Sequence, residues 1–192
     1  QRIDPITLER QLGPDYAAAL WQLGLEAVEL VEALIDNHQI ACGLKANIIH
    51  LAHKARYLSD YREEVEFLEQ RYGYKECRFL PAQELADHVG SGQFYGGVID
   101  TRSRHLDPYA YALGLATAAE AAGAELFEQS RALTFTQLRG EVVVASAAGQ
   151  VRAKQLIIAC NGYLDRLAPQ LAGYIMPINN FIVASEPLPE SL

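Results

Sequence analysis

Two imidazoles three residues apart, in His50-Leu-Ala-His53, are the first residues of this chain whose types and spacing could hold a metal. No third ligand stands at an interpretable distance, so the pair alone defines no metal site. Gly90-Ser-Gly92-Gln-Phe-Tyr-Gly96 resembles a dinucleotide fingerprint, but its third glycine is displaced by one position. The segment also leads into a strand, whereas a pyrophosphate needs a helix N-terminus after the turn. Val151–Leu167 is more informative. Its apolar run Leu156–Ala159 ends abruptly in Asn161-Gly162. A continuous apolar run reads as a strand covered on both faces, and ligands sit at the carboxyl ends of such strands in α/β sheets. Small residues there let the backbone approach a ligand closely. A buried strand with an ordinary turn after it fits the same residues.

Elsewhere the chemistry is sparse. There is no Gly-x-Ser-x-Gly elbow or phosphate-binding Walker loop, and no carboxylate pair stands out as catalytic. Tyr57, Tyr61, Tyr72, Tyr74 and Tyr95 cluster in the middle third. They could line a pocket, although amphipathic packing with a wet hydroxyl explains them more simply. Cys42, Cys77 and Cys160 are odd in number and scattered, which fits free thiols in a reducing cytoplasm.

Composition narrows the class. The chain is 50% hydrophobic and 21% charged, an ordinary globular balance. A formal net charge of −8 argues against a nucleic-acid partner, and Arg102-Ser-Arg104-His105 reads as a short solvated loop rather than a basic patch. No apolar run approaches transmembrane length, so membrane insertion is not expected. The opening at Gln1 rather than Met suggests a piece of something longer.

The elements that must position these residues follow from periodicity. Asp4-Pro5 starts a short helix, and Gly13-Pro14-Asp15 starts a long one to about Asn37, whose row of Glu26, Glu29, Glu32 and Asp36 reads as a solvated face. Gln39–Lys45 and Asn47–Ala52 suggest a β-hairpin. The positions Tyr57, Tyr61, Val65, Leu68 and Tyr72 predict a helix that Gly73 stops. A strand at Cys77–Leu80, a helix from Pro81 to about Val89 and a strand at Phe94–Asp100 come next. An Ala-rich helix from Asp107-Pro108 to Gly123 is expected against a sheet. Strands are then predicted at Glu125–Gln129, Leu133–Arg139, Glu141–Ala147 and Gln150–Ala159, with a β-rich tail at Tyr174–Ser185.

The order of these elements and several phrases resemble the middle of an FAD-dependent oxidoreductase of the glycine/D-amino-acid oxidase family. The likeness is most specific at His105-Leu-Asp-Pro108 through Glu128, at Arg131-Ala-Leu133, and at Gln155-Leu-Ile-Ile-Ala-Cys-Asn-Gly162. Glu9–Tyr16 and Pro177–Leu188 look most like the γ-glutamylputrescine oxidase branch. The resemblance implies an α/β fold. Part of a Rossmann-like, three-layer FAD-binding domain would be joined to part of an antiparallel-sheet substrate domain. Residues 39–100 would then be mainly substrate-domain and helical elements, 105–170 mainly FAD-domain elements, and 174–188 a return to the substrate domain.

It further implies that the main chain at Ala132, where relatives usually carry a larger residue such as Val, passes the adenine of FAD. The turn Ala159, Cys160, Asn161, Gly162 would lie beside the FAD phosphates and ribose. The family's glycine fingerprint would precede Gln1, and the residues closing over the flavin would follow Leu192. No position matches a family residue known for catalysis.

The resemblance implies hydride transfer from an amine-bearing carbon of a small amine or amino acid to FAD, with oxygen returning peroxide. A same-family dehydrogenase using another electron acceptor, or a binding module without chemistry, are the alternatives. A tail lacking sheet partners would leave an edge that invites self-association.

Without the pyrophosphate turn, the 192-residue chain should not retain FAD tightly. The expected purified protein is colourless. A stoichiometric flavin absorbance band would refute this.

Overall fold

A computed structural model of the chain describes residues 3–179 and 181. Asp4 caps the first helix, α1 (Pro5–Leu12), by accepting a 2.7 Å hydrogen bond from the Thr7 amide. Helix α2 (Pro14–His38) closes on Gln39, whose φ of 52° is left-handed. Helix α3 (Leu58–Tyr72) follows a 3-10 turn at Ala55–Tyr57 and stops at Gly73. These ends match the sequence signals closely.

Strands β1 (Lys45–Leu51), β2 (Cys77–Pro81) and β3 (Gly96–His105) form one antiparallel sheet in the order β1-β3-β2. The register sets His50 beside Val98 and Val98 beside Phe79, then Ile48 beside Asp100 and Asp100 beside Cys77. Alternate residues of that sheet, Ile49, Leu51, Leu80 and Ile99, pack with Leu85 of the short helix α4 (Ala82–Leu85). The expected hairpin at Gln39–Ala52 is not formed. Asn47 makes a bulge at φ 72° within one strand, while Ile40 and Cys42 leave the sheet and bury against Ile35. Helix α4 is also far shorter than predicted.

Two surface readings are corrected. Arg102 and Arg104 lie on the last residues of β3, not on a loop. They engage the acidic row of α2: Arg104 Nε meets Glu32 Oε1 at 2.6 Å, while Arg102 reaches Glu32 at 3.3 Å and Glu29 at 3.4 Å. The acidic face is therefore only partly solvated. Helix α5 (Pro108–Ala121) is capped by Asp107 as expected. Its contact is with α2 and the Ile40 turn rather than with a sheet.

The chain divides into two compact units at Leu126/Phe127, so α5 falls with the first. The second holds an antiparallel meander, β4 (Ala132–Leu138), β5 (Glu141–Ser146) and β6 (Gln150–Ala153). Arg139-Gly140, both at positive φ, joins β4 to β5, the signature of a two-residue hairpin. Glu125–Gln129 forms no strand.

Neither does Leu156–Ala159: β6 stops at Ala153, and Ile157 is 88% exposed. An apolar strand of that kind needs a ladder on each side, and among the described residues β6 pairs with β5 alone. Residues 169–174 form a 3-10 segment, Ile175–Asn179 carry no ladder, and the rest of the expected β-rich tail lies outside the described residues apart from Phe181.

Gly96-Gly97, where β3 begins, allows the sheet to close. A Cβ on Gly97 would stand 2.6 Å from the His50 carbonyl oxygen, and one on Gly96 would stand 2.8 Å from that of Leu80. Backbone cannot yield as a flexible side chain can, so Gly97→Ala is expected to cost about 1–3 kcal/mol. The readout is a lower urea midpoint, with Gly149→Ala, which meets nothing within 4 Å, as the neutral control.

Candidate functional site

The second unit gathers some of the residues singled out in sequence. Ala132, at the start of β4, and Cys160, just before the 3-10 turn Asn161–Tyr163, line one cleft of about 220 Å³ with Arg131, Tyr163 and Leu164. Cys160 and Asn161 also line a neighbouring hollow of about 410 Å³ with Ile158, Leu171 and Tyr174. Ala159 is exposed and lines neither.

Gly162 also stays out of both; a Cβ there would lie 3.8 Å from the Pro177 ring, an ordinary contact. The turn's unusual backbone belongs to Asn161 instead, at φ 49°, with Asp165 at 51°. Asparagine tolerates that region better than most residues because its short amide can bond locally. Arg131 holds the two sides of the cleft together through a 2.6 Å ion pair with Asp165. Both groups are exposed, so this pair fixes geometry more than it adds stability.

The first unit contains a further concavity, which the tyrosines singled out in sequence only partly line. It has a volume of about 340 Å³ and is walled by the start of α1, by Trp21 of α2, by Tyr61, Glu64 and Leu68 of α3, and by the sheet face carrying His50, Cys77, Val98 and Asp100. The expected tyrosine cluster thus splits. Tyr61 and Tyr74 reach the cavity, Tyr72 stacks on Trp21 at 5.1 Å, and Tyr57 lies against His53, also at 5.1 Å. His50 and His53 therefore diverge, and no metal-competent cluster occurs among the described residues.

Asp100 organises one wall. Its Oδ1 accepts from the Tyr74 hydroxyl at 2.8 Å and from the amides of Arg102 and Ser103, while Oδ2 accepts from the Ser103 hydroxyl at 2.7 Å. Burial, and then the hydrogen bond to Asp100, push the Tyr74 phenol far above its ordinary range. Burial, and next the Asp4 charge, raise the Glu64 carboxyl. Burial followed by the Asp100 charge lifts the Cys77 thiol to about 12. Glu64 could have been found from its spacing. It sits three residues after Tyr61 and four before Leu68, within the apolar stripe of α3.

All three cysteines are free, and no helix among the described residues is long and apolar enough to cross a membrane. The Cys77 shift predicts a pH dependence. The unfolded thiol loses its proton above about 9, whereas the folded one keeps it to about 12. Across that window the unfolded state binds fewer protons, so stability falls as pH rises. Cys77→Ala should flatten this alkaline decline in urea titrations; an unchanged slope would contradict the assignment.

Comparison with known proteins places the whole arrangement. The family described as DAO, FAD dependent oxidoreductase, matches residues 7–192. "Probable oxidoreductase OrdL" of Rhizobium meliloti is 34% identical over 185 residues, covering 96% of this chain and 43% of its own length. Gamma-glutamylputrescine oxidoreductase of Escherichia coli is 33% identical over 186 residues, with coverage of 96% and 43%. The chain thus spans about 43% of the length of these curated relatives. Glycine oxidase from Geobacillus kaustophilus superposes with a TM-score of 0.65 over 80% of this chain and 42% of that one, at 23% identity, a likeness of fold.

Proposed function

The chain belongs to the DAO family of FAD dependent oxidoreductases, and on that basis we propose that it is the central part of an enzyme that oxidises a small amine or amino acid. The observation that carries this reading is the match over residues 7–192, together with the cleft that Ala132 and Cys160 both line. In this proposal the cleft takes the adenosine side of FAD. The main chain at Ala132 approaches the adenine, and Ala159–Gly162 runs beside the ribose and phosphates. The residues present suit that role: small side chains at Ala132 and Cys160 leave the backbone accessible, and Arg131 offers a cation at the rim.

FAD, when bound, supplies the two-electron acceptor for the carbon that bears the amine. This part of the protein contributes position rather than proton transfer. The Arg131–Asp165 pair and the Asn161 turn hold the cleft walls. Residues 39–100 serve the substrate side, 105–170 the FAD side, and 174–188 return to the substrate side. The substrate class extends to γ-glutamylputrescine, the molecule in the name of the E. coli relative. Oxygen is the proposed electron acceptor, peroxide the product and the cytoplasm the location.

The test is a peroxide assay on the full-length protein with a panel of amines and amino acids that includes γ-glutamylputrescine. Saturable peroxide release with one substrate class supports the oxidase. Flavin bleaching by substrate without peroxide in air would identify a dehydrogenase passing electrons elsewhere. No bleaching with any member of the panel would remove the proposed substrate class.

A further inference from the structure

The turn at Asn161-Gly162 carries a chemistry that cofactor binding does not use. It is the only Asn-Gly pair in the sequence. An asparagine before glycine is open to attack on its own side chain, because the next residue has no Cβ to shield its amide nitrogen. In many folded proteins such pairs stay silent, since burial or hydrogen bonds keep the side chain and that nitrogen apart. Neither restraint operates here. Asn161 is exposed, and its side-chain amide has no hydrogen-bond partner among the described residues. The Gly162 N–H also lacks an acceptor among them; the turn is bridged instead by the Tyr163 amide, which donates to the Cys160 carbonyl oxygen at 2.9 Å. With no ladder or buried side chain at Asn161, local opening of this turn costs little.

Asn47 supplies the contrast within the same chain. It too is exposed and left-handed, at φ 72°, but it lies inside β1 and precedes Ile48, whose register partner is Asp100. The branched Cβ of Ile48 crowds its amide nitrogen, and the strand pairing holds the backbone in place. Asparagine in a left-handed conformation is therefore not enough. The reactive combination is an exposed, unbonded side chain followed by a glycine with a free N–H.

We propose that Asn161 is a site of spontaneous deamidation, and that the change weakens cofactor retention in the cleft beside it. The Gly162 nitrogen bonds to Asn161 Cγ, and Nδ2 leaves as ammonia together with the proton that the nitrogen gives up. Water then opens the succinimide at either carbonyl, giving aspartate or isoaspartate. No oxidant or reductant is consumed. Either product puts a carboxylate on the wall of the hollow of about 410 Å³ that Cys160 and Asn161 line. Isoaspartate also lengthens the backbone of the turn by one carbon. Asp165 already lines the adjoining cleft, so negative charge gathers where the phosphates of FAD are proposed to run. The effect on the cofactor rests on that FAD reading; the deamidation itself does not.

The full-length protein is aged in warm, mildly alkaline buffer, sampled over time and digested with trypsin. An isoaspartyl methyltransferase labels any isoaspartate formed. The mass gain for replacing NH by oxygen is expected in the peptide Gln155–Arg166 and not in Ala46–Lys54, which holds Asn47. Its rate should rise with pH, because the attacking nitrogen must lose its proton. Gly162→Ala, whose Cβ would stand an ordinary 3.8 Å from the Pro177 ring, keeps the turn and should lose the gain. A gain seen in urea but not in the folded protein, an equal gain at Asn47, or an unchanged rate in Gly162→Ala would each overturn the site. Flavin release, followed by the fluorescence of free FAD, is then compared for fresh protein, aged protein and Asn161→Asp. Faster release from the last two is expected, and equal release from all three overturns the effect on the cleft. Fresh protein that binds no FAD would remove the FAD reading and that effect with it, while the mass gain still decides the modification.

Discussion

The pairing of β3 with a strand on each side holds the first unit together. β1 contributes from one edge and β2 from the other, and both ladders run through Val98–Asp100. The strand enters through two adjacent glycines because the His50 and Leu80 carbonyls press on it there. It leaves through Arg102 and Arg104, which grip Glu29 and Glu32 of α2. One strand thus fixes the sheet and anchors the long helix above it. The ion pairs are only partly buried, so their main effect is to set register between helix and strand.

Asp100 links that scaffold to the cavity. It stands mid-strand between Ile48 and Cys77 and gathers the Tyr74 hydroxyl and the next two amides along β3. A carboxylate supplied with so many donors is held in one orientation; burial first, and Asp100 second, raise the Tyr74 phenol and the Cys77 thiol. Glu64 faces the same space with no such donors.

The second unit follows a different logic. Its three strands are joined by short turns and need little from elsewhere in the chain. Yet Phe127, Ile157, Tyr163, Tyr174 and Met176 are largely exposed, between 66% and 92%. The chain spans about 43% of the length of its curated relatives. The cleft at Ala132 and Cys160 is described by backbone shape and one ion pair more than by a packed core.

Local signals were enough for much of this. Asp4, Gly73, Asp107 and Arg139-Gly140 mark helix caps and a hairpin because each acts on its own few residues. The mixed α/β class and the family followed from the order of such elements and from phrases such as Gln155–Gly162. Pairing across long stretches of chain was beyond those signals. The partner of β1 is β3, so Gln39–Ala52 was misread as a hairpin, and Arg102–His105 as a loop rather than a strand end. Leu156–Ala159 has the composition of a covered strand but no ladder among the described residues to cover it. Composition and periodicity record what a segment prefers by itself. Which carboxyl finds donors, and which donor is left buried without an acceptor, depends on neighbours brought together only when the helices close over the sheet.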